Sequence, residues 1–277
     1  MSYRRILTVQ DISCLGQCSL TVALPVISSC GIECCILPSA VLSTHTGGFS
    51  GFTFRDLSDD IPKIKEHWLK EGIRFDSLYT GYLGNTKHCE YVSDIIDSGL
   101  LNENSVVIID PAMADHGRLY TGFDDEYVNA MASLCKKADF VIPNLTEAHL
   151  LTKTEYKTSC SKKDVLSMLQ AMKKLGYRNI IVTGVSFRDN MTGVAVFEND
   201  DFFYYEHERL AKNSHGTGDI FASVFSAAIT NGKSAKEAVK IAADFTLECL
   251  KNSAAYLCHT YGAVFEPVLY KLHDMMS

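Results

Sequence analysis

An α/β fold, with a central, mostly parallel β-sheet and helices on both of its faces, is what this 277-residue sequence predicts. Short apolar runs alternate with helix-like stretches from one end to the other. The run Val106-Val107-Ile108-Ile109 is apolar without interruption, as a strand covered on both faces must be. Polar groups gather just past the strand ends, at Gln10-Asp11, Gly81-Tyr82, Asp110, Asn144 and Thr183, where open α/β sheets bind their ligands. No low-complexity linker, charge block or internal period divides the chain, so one domain over residues 1–277 is expected.

A first strand is expected over residues 6–10 and a helix over 19–30, stopped by Gly31. Residues 34–37 read as the second strand, 57–70 as an amphipathic helix, and 76–80 as a strand ending in Gly81-Tyr82. A helix over 86–97 precedes the strand at 106–109; a helix at 124–137 and a strand at 140–142 follow. A short helix from Thr146 and another over 164–175 lead to a strand at 180–183. Residues 193–197 and 201–205 flank Asn199-Asp200, a pair suited to a tight β-hairpin. Helices over 218–230 and 235–250 complete the pattern.

Net charge −7 and a sequence pI of 5.7 speak against nucleic acid or an acidic membrane as the main partner. No apolar run reaches the roughly 18 residues of a spanning helix. Residues 1–10 read as a strand rather than a secretory leader, so a cytoplasmic location is expected. Ten cysteines include no matched Cys-x-x-Cys pairs. Reduced thiols acting as small hydrophobes are expected, not a structural metal site.

The most informative stretch is Asn213-Ser214-His215-Gly216-Thr217-Gly218-Asp219, which runs into the apolar, small-residue segment Ile220-Phe221-Ala222. Glycines at 216 and 218 let successive N–H groups converge on one point, and the helix N-terminus adds its positive end there. Gly216, Thr217 and Gly218 thus form a cradle for an anion. Asp219 stands at its lip, and the helix end is expected to keep it ionised near neutral pH. An anion hole with a proton acceptor beside it is what phosphoryl transfer to an alcohol requires. A glycine-rich helix start with an Asp near its cap has the same local look.

Asp110-Pro111 leaves the strand at 106–109, and a carboxylate there can hold Mg²⁺ directly or through water. Asp115 offers a further oxygen; a turn-capping Asp before Pro is the alternative. Asn144 and Glu147 follow the strand at 140–142, where a nucleotide triphosphate and its metal would lie. The alternative there is Thr146 as a helix cap with an acidic first turn. On the other side, Asp11 and Ser13 close the first strand, and Ser43-Thr44-His45-Thr46-Gly47-Gly48-Phe49 follows the second. Phe49, Phe52 and Phe54 are expected as wall and lid for a small aromatic ring and Tyr82 as a stacking face; His45 reads as a ligand contact, favoured by its neighbours, or as a loop histidine.

Gly216-Thr217-Gly218-Asp219, Asp110-Pro111 and Pro143-Asn144-Leu145-Thr146-Glu147 together resemble the ribokinase-like superfamily of small-molecule kinases. Gln10-Asp11-Ile12-Ser13-Cys14-Leu15-Gly16, Thr44-His45-Thr46-Gly47 and Thr80-Gly81-Tyr82-Leu83-Gly84 are similar to its pyridoxal kinase branch. The resemblance covers nearly the whole chain, with the motifs in order. It implies a single-domain ribokinase-like fold that moves the γ-phosphoryl of ATP to the 5′-hydroxyl of pyridoxal, pyridoxine or pyridoxamine. It implies Asp219 as catalytic base and the Gly216, Thr217 and Gly218 amides as the phosphoryl holders. Asp110 and Glu147 would manage Mg²⁺, with Asn144 and Thr183 beside them along the ATP. Thr46 and Tyr82 would contact the pyridine ring, with Asp219 at the substrate hydroxyl. A monovalent cation such as K⁺ and a homodimer are implied as well.

Two positions depart from that branch. Asp11 stands where many members carry Ser after the Gln, with Ser13 two residues on, and either can be the ring contact. An Asp beside a pyridine nitrogen favours the protonated ring. Gly184 stands near where some relatives carry Lys. A hydroxymethylpyrimidine kinase of the same superfamily is the nearest rival, since Thr46 and Tyr82 suit either heterocycle. A sugar kinase fits less well, because the loop at 43–49 lacks the carboxylates and amides a polyol needs. A non-catalytic pyridoxal phosphate-binding protein is the remote one; Asp219 argues against it, because a carboxylate beside an anion hole repels phosphate.

Overall fold

The computed structural model describes residues 3–210 and 214–277, so Asn213, first of the glycine-rich stretch, lies outside the described residues. Its strands are β1 (Arg5–Ser13), β2 (Glu33–Leu42), β3 (Phe54–Asp56), β4 (Phe75–Thr80) and β5 (Leu101–Ile109). Then come β6 (Ala114–Asp115), β7 (Arg118–Leu119), β8 (Phe140–Val141), β9 (Asn179–Val185), β10 (Met191–Glu198) and β11 (Asp201–Glu208). Nine of them form one sheet in the order β11-β10-β9-β8-β5-β4-β1-β2-β3, and β6 and β7 make a separate ribbon. The six central strands run parallel. β3 pairs antiparallel on one edge, and the β10–β11 hairpin does so on the other. Asn199 and Asp200 turn that hairpin with φ of 51° and 67°, the left-handed pair a two-residue turn needs.

The helices are α1 (Leu20–Ser29), α2 (Ile61–Lys70), α3 (Thr86–Asp97), α4 (Asp125–Cys135) and α5 (Leu145–Thr152). α6 (Lys162–Lys174), α7 (Thr217–Thr230), α8 (Ala235–Ser253) and α9 (Lys271–Met276) follow. Alternate residues of β1 serve opposite cores: Ile6 packs with α1, α7 and α8, whereas Leu7 and Val9 pack with α2 to α6. That is the period-two signature of a strand covered on both faces. α7 is buried from Ile220 through Ala228; its Ala222, Ser223, Ser226 and Ala227 let it lie close between the sheet and its helical neighbours.

β1 pairs with β2 on one side and β4 on the other, so the strand order reverses there and opens a crevice above their carboxyl ends. β1 ends at Ser13, β4 at Thr80, β5 at Ile109 and β8 at Val141. All of the polar motifs singled out above lie on this one rim. Among the described residues no helix is long and apolar enough to cross a membrane.

Candidate active site

A cavity of about 570 Å³ occupies the rim, and the candidate residues other than the expected phenylalanines reach it. Gly216, Thr217, Gly218 and Asp219 form its base; Asp110, Asn144, Glu147 and Thr183 line one side. Asp11, Ser13, Thr46 and Tyr82 line the other.

The base is the start of α7. Gly216 is its N-cap with φ 76°, and a Cβ there would fall 1.8 Å from the Gln17 carbonyl oxygen, so only glycine fits. Among the described residues no side chain caps the helix, and its first internal bond runs from Ile220 N to Gly216 O (2.9 Å). The amides before Ile220 therefore remain for an anion. A Cβ on Gly218 would meet nothing within 4 Å, so this glycine keeps the floor open rather than permitting a strained turn.

Asp219 faces the cavity and is enclosed by protein elsewhere. That desolvation pushes its carboxyl up to about 7, against the pull of the Ser19 backbone amide; the charge on Asp11 adds to the rise. The expectation that the helix end keeps it ionised near neutral pH is corrected: burial raises the carboxyl, and Asp219 titrates near neutrality.

Asp110 and Glu147 are 9% and 2% exposed. Burial raises both, and the Glu147 and Asp219 charges raise Asp110 further. Glu147 is already engaged: Oε2 accepts from Asn144 N (2.9 Å), and Oε1 from Met113 N (2.9 Å) and Ala114 N (3.3 Å). Asn144, not Thr146, caps α5, in a capping box with Glu147. Thr146 instead accepts from Gly117 N at 3.0 Å. Asn144 also donates to Ala114 O at 2.7 Å, so its amide ties this side together before any ligand arrives. Asp110 spends only Oδ1, on Ala112 N at 3.0 Å. Two buried carboxylates, both raised by burial, suit a hard cation taking oxygen ligands, with Asp110 free to bind directly and Glu147 fitted to act through water. Among the described residues no three His, Cys, Asp or Glu side chains gather as a full metal cage.

On the opposite side, a β-bulge between Gln10 and Ile12 breaks the β1 register and sets Asp11 beside Ser13, whose hydroxyl donates to Asp11 Oδ2 (2.8 Å). Burial raises Asp11, while Ser19 and Ser13 pull it back. Tyr82 stacks on Phe123 (5.3 Å, 26°), which stacks on Tyr127 (3.7 Å, 5°), and Tyr127 donates to Leu83 O at 2.6 Å. The expected wall differs: Phe49, Phe52 and Phe54 are not among the cavity residues. Phe49 packs edge-on behind His45 at 5.0 Å, and Phe54 lies on the edge strand, 45% exposed. His45 reaches the cavity with both nitrogens engaged, Nε2 at Tyr261 O (2.8 Å) and Nδ1 accepting from Gly47 N (3.2 Å). It holds the loop rather than offering a free contact.

Sequence reasoning missed the β6–β7 ribbon with Arg118 and Tyr120, and Cys18 and Ser19 at the start of α1, all of them cavity residues. Two-residue strands carry no periodicity; the His116-Gly117 turn between Asp115 and Arg118 was the one available signal.

The phosphomethylpyrimidine kinase family profile matches residues 24–264. The chain belongs to that family. It is a small-molecule kinase with the ribokinase-like fold. Within the phosphomethylpyrimidine kinase family and its neighbours, three relatives frame it. A crystal form with pyridoxal of a candidate phosphomethylpyrimidine kinase from Bacteroides thetaiotaomicron is 35% identical, with TM-score 0.91 over 100% of this chain and 96% of that one. Pyridoxal kinase from Lactobacillus plantarum is 29% identical, with TM-score 0.92 over 99% and 98%. Hydroxymethylpyrimidine/phosphomethylpyrimidine kinase from Bacillus subtilis is 28% identical over 220 residues, covering 78% of this chain and 77% of the relative.

Proposed function

We propose that this kinase phosphorylates the 5′-hydroxyl of vitamin B6 vitamers, pyridoxal, pyridoxine and pyridoxamine, with ATP. One observation carries the reading: Asp219 stands between an uncapped helix end and a Tyr82–Asp11–Ser13 pocket within one cavity. The near full-length likeness to the L. plantarum pyridoxal kinase supports it, as does the pyridoxal-containing crystal form of the B. thetaiotaomicron relative.

In this reading the triphosphate lies along Asp110, Asn144, Glu147 and Thr183. The vitamer ring lies between Thr46 and Tyr82, with its nitrogen toward Asp11 and Ser13. The Gly216, Thr217 and Gly218 amides hold the transferring phosphoryl group, and Asp219 receives the hydroxyl proton, late because the transition state is loose. Mg²⁺, held by Asp110 and through water by Glu147, would neutralise charge on the phosphate oxygens. The whole chain acts as one kinase domain and works as a cytoplasmic homodimer.

The second reading, a hydroxymethylpyrimidine kinase, is favoured by the family match and the B. subtilis relative. A panel of the three vitamers and hydroxymethylpyrimidine with ATP and Mg²⁺, in K⁺ or Na⁺, separates them. Highest kcat/KM on a vitamer supports the proposal; preference for the pyrimidine over every vitamer replaces it.

A further inference from the structure

The β6–β7 ribbon carries a charge that the reaction as described leaves unused. Five carboxylates line the cavity, Asp11, Asp110, Asp115, Glu147 and Asp219, and among the described residues Arg118 is the one Lys or Arg that joins them. Four of them, Asp11, Asp110, Glu147 and Asp219, are raised by burial or by their neighbours' charges before a ligand enters. A triphosphate brings several more negative charges to the same space, so a fixed cation on its path has a large electrostatic effect.

Arg118 is exposed to the cavity and forms no ion pair or side-chain hydrogen bond among the described residues. This holds although Asp115 lies directly across the ribbon from it. Its backbone, by contrast, is firmly placed. His116 and Gly117 (φ 50° and 75°) set a tight turn, and Gly117 N donates to Thr146 Oγ1. Met113 and Ala114 donate to Glu147, Asn144 donates to Ala114 O, and Tyr120 N donates to Met113 O at 2.9 Å. The ribbon is thus fastened to the start of α5, on the Asp110–Asn144–Glu147 side of the cavity and away from Tyr82 and Asp11. A rigid mount with an unpaired guanidinium is how a protein presents a planar fork to phosphate oxygens.

We propose that Arg118 binds the β- and γ-phosphates of ATP and is the protein's own cation for the triphosphate, a role that rests on the kinase reading but not on which acceptor is used. Because Arg118 is exposed, Arg118→Ala should fold as the parent does, which a matched thermal transition checks. Titrate parent and variant with ATP and, separately, AMP, with Mg²⁺ and no acceptor present. The Kd for ATP should rise about tenfold or more, the size of a lost charged hydrogen bond, while that for AMP stays within twofold. Arg118→Lys should recover part of the loss, since it restores charge without the fork. An ATP Kd within twofold of the parent, or equal weakening of ATP and AMP, overturns the proposal. If no vitamer is phosphorylated by the parent, the substrate reading falls, yet the nucleotide titration still decides Arg118.

Discussion

The Ser13 hydroxyl donates to Oδ2 of Asp11 across 2.8 Å, and both residues are almost out of solvent, at 1% and 3% exposure. Ser13 therefore speaks to a ligand through Asp11, and the two act as one unit at the end of β1. Asp11→Ser should change the ranking of kcat/KM among pyridoxal, pyridoxine and pyridoxamine, whose ring nitrogens and 4′ groups differ in basicity. Ser13→Ala should shift the ranking the same way but less, because it removes only one of the donors that hold the carboxylate charged. A uniform fall for all three vitamers would make the pair structural.

Asp110→Asn should raise the Mg²⁺ concentration for half-maximal rate several-fold while leaving vitamer KM nearly unchanged. Asp110 has the uncommitted oxygen, whereas Glu147 is held by three backbone amides. Glu147→Gln should act differently: it loosens the capping box and the ribbon, and should cost on the order of 1–2 kcal/mol of stability, visible in denaturant unfolding. An unchanged Mg²⁺ curve for Asp110→Asn returns that residue to turn capping.

The two glycines of the cradle should separate cleanly. Gly216→Ala places a methyl 1.8 Å from the Gln17 carbonyl at φ 76°, so the loop must move, and both stability and activity should fall. Gly218→Ala meets no protein atom within 4 Å. It should unfold at the parent temperature or slightly above, since Ala favours helix by up to about 1 kcal/mol. Its methyl instead takes up space where an anion would approach, so KM for ATP should rise. Equal loss of stability in both variants would contradict this division.

Much of the fold was legible because buried parallel strands announce themselves as unbroken apolar runs, as at Val106–Ile109, and because Gly31 marks the end of α1 and the Gly216–Gly218 turn the start of α7. Strand ends were underestimated where polar residues continue the ladder, as at Asp11 and Ser13 in β1. β3 and the β6–β7 ribbon were invisible because two or three residues hold no period. The site was legible through the topology: polar residues past strand ends had to meet on one rim. The identity of the ring wall was not, since Phe123 becomes a neighbour of Tyr82 only through the fold, where Tyr127 of α4 stacks on Phe123 and bonds to Leu83 O beside Tyr82. The direction of the Asp219 shift also escaped, because the enclosure of a side chain is a property of the folded cavity.

That shift has a stability consequence. Asp219 titrates at about 7 in the fold but near 4 in the unfolded chain. Between those values the folded state binds the extra proton, so this group lowers stability as pH rises from about 4 to 7, and the cost is fully present above. Asp219→Asn removes it. The variant should exceed the parent by roughly 1–3 kcal/mol at pH 8, allowing for the open cavity side, and match it only near pH 4. Denaturant unfolding at the two pH values reads this directly; a variant less stable at pH 8 would show that the carboxylate is not strained there.

The most direct test of the central claim is the single-turnover and steady-state rate of Asp219→Asn. A group titrating at about 7 is well matched to accept a proton at neutral pH. Asn keeps the shape and cannot take that proton. The account predicts a kcat lower by roughly 10² to 10⁴, about 3 to 5 kcal/mol in the barrier, with Kd for ATP and pyridoxal within a few-fold of the parent. The parent kcat should fall as pH drops through about 7, and the variant should lose that limb. A variant kcat within threefold of the parent would contradict the role of Asp219 and the mechanism built on it.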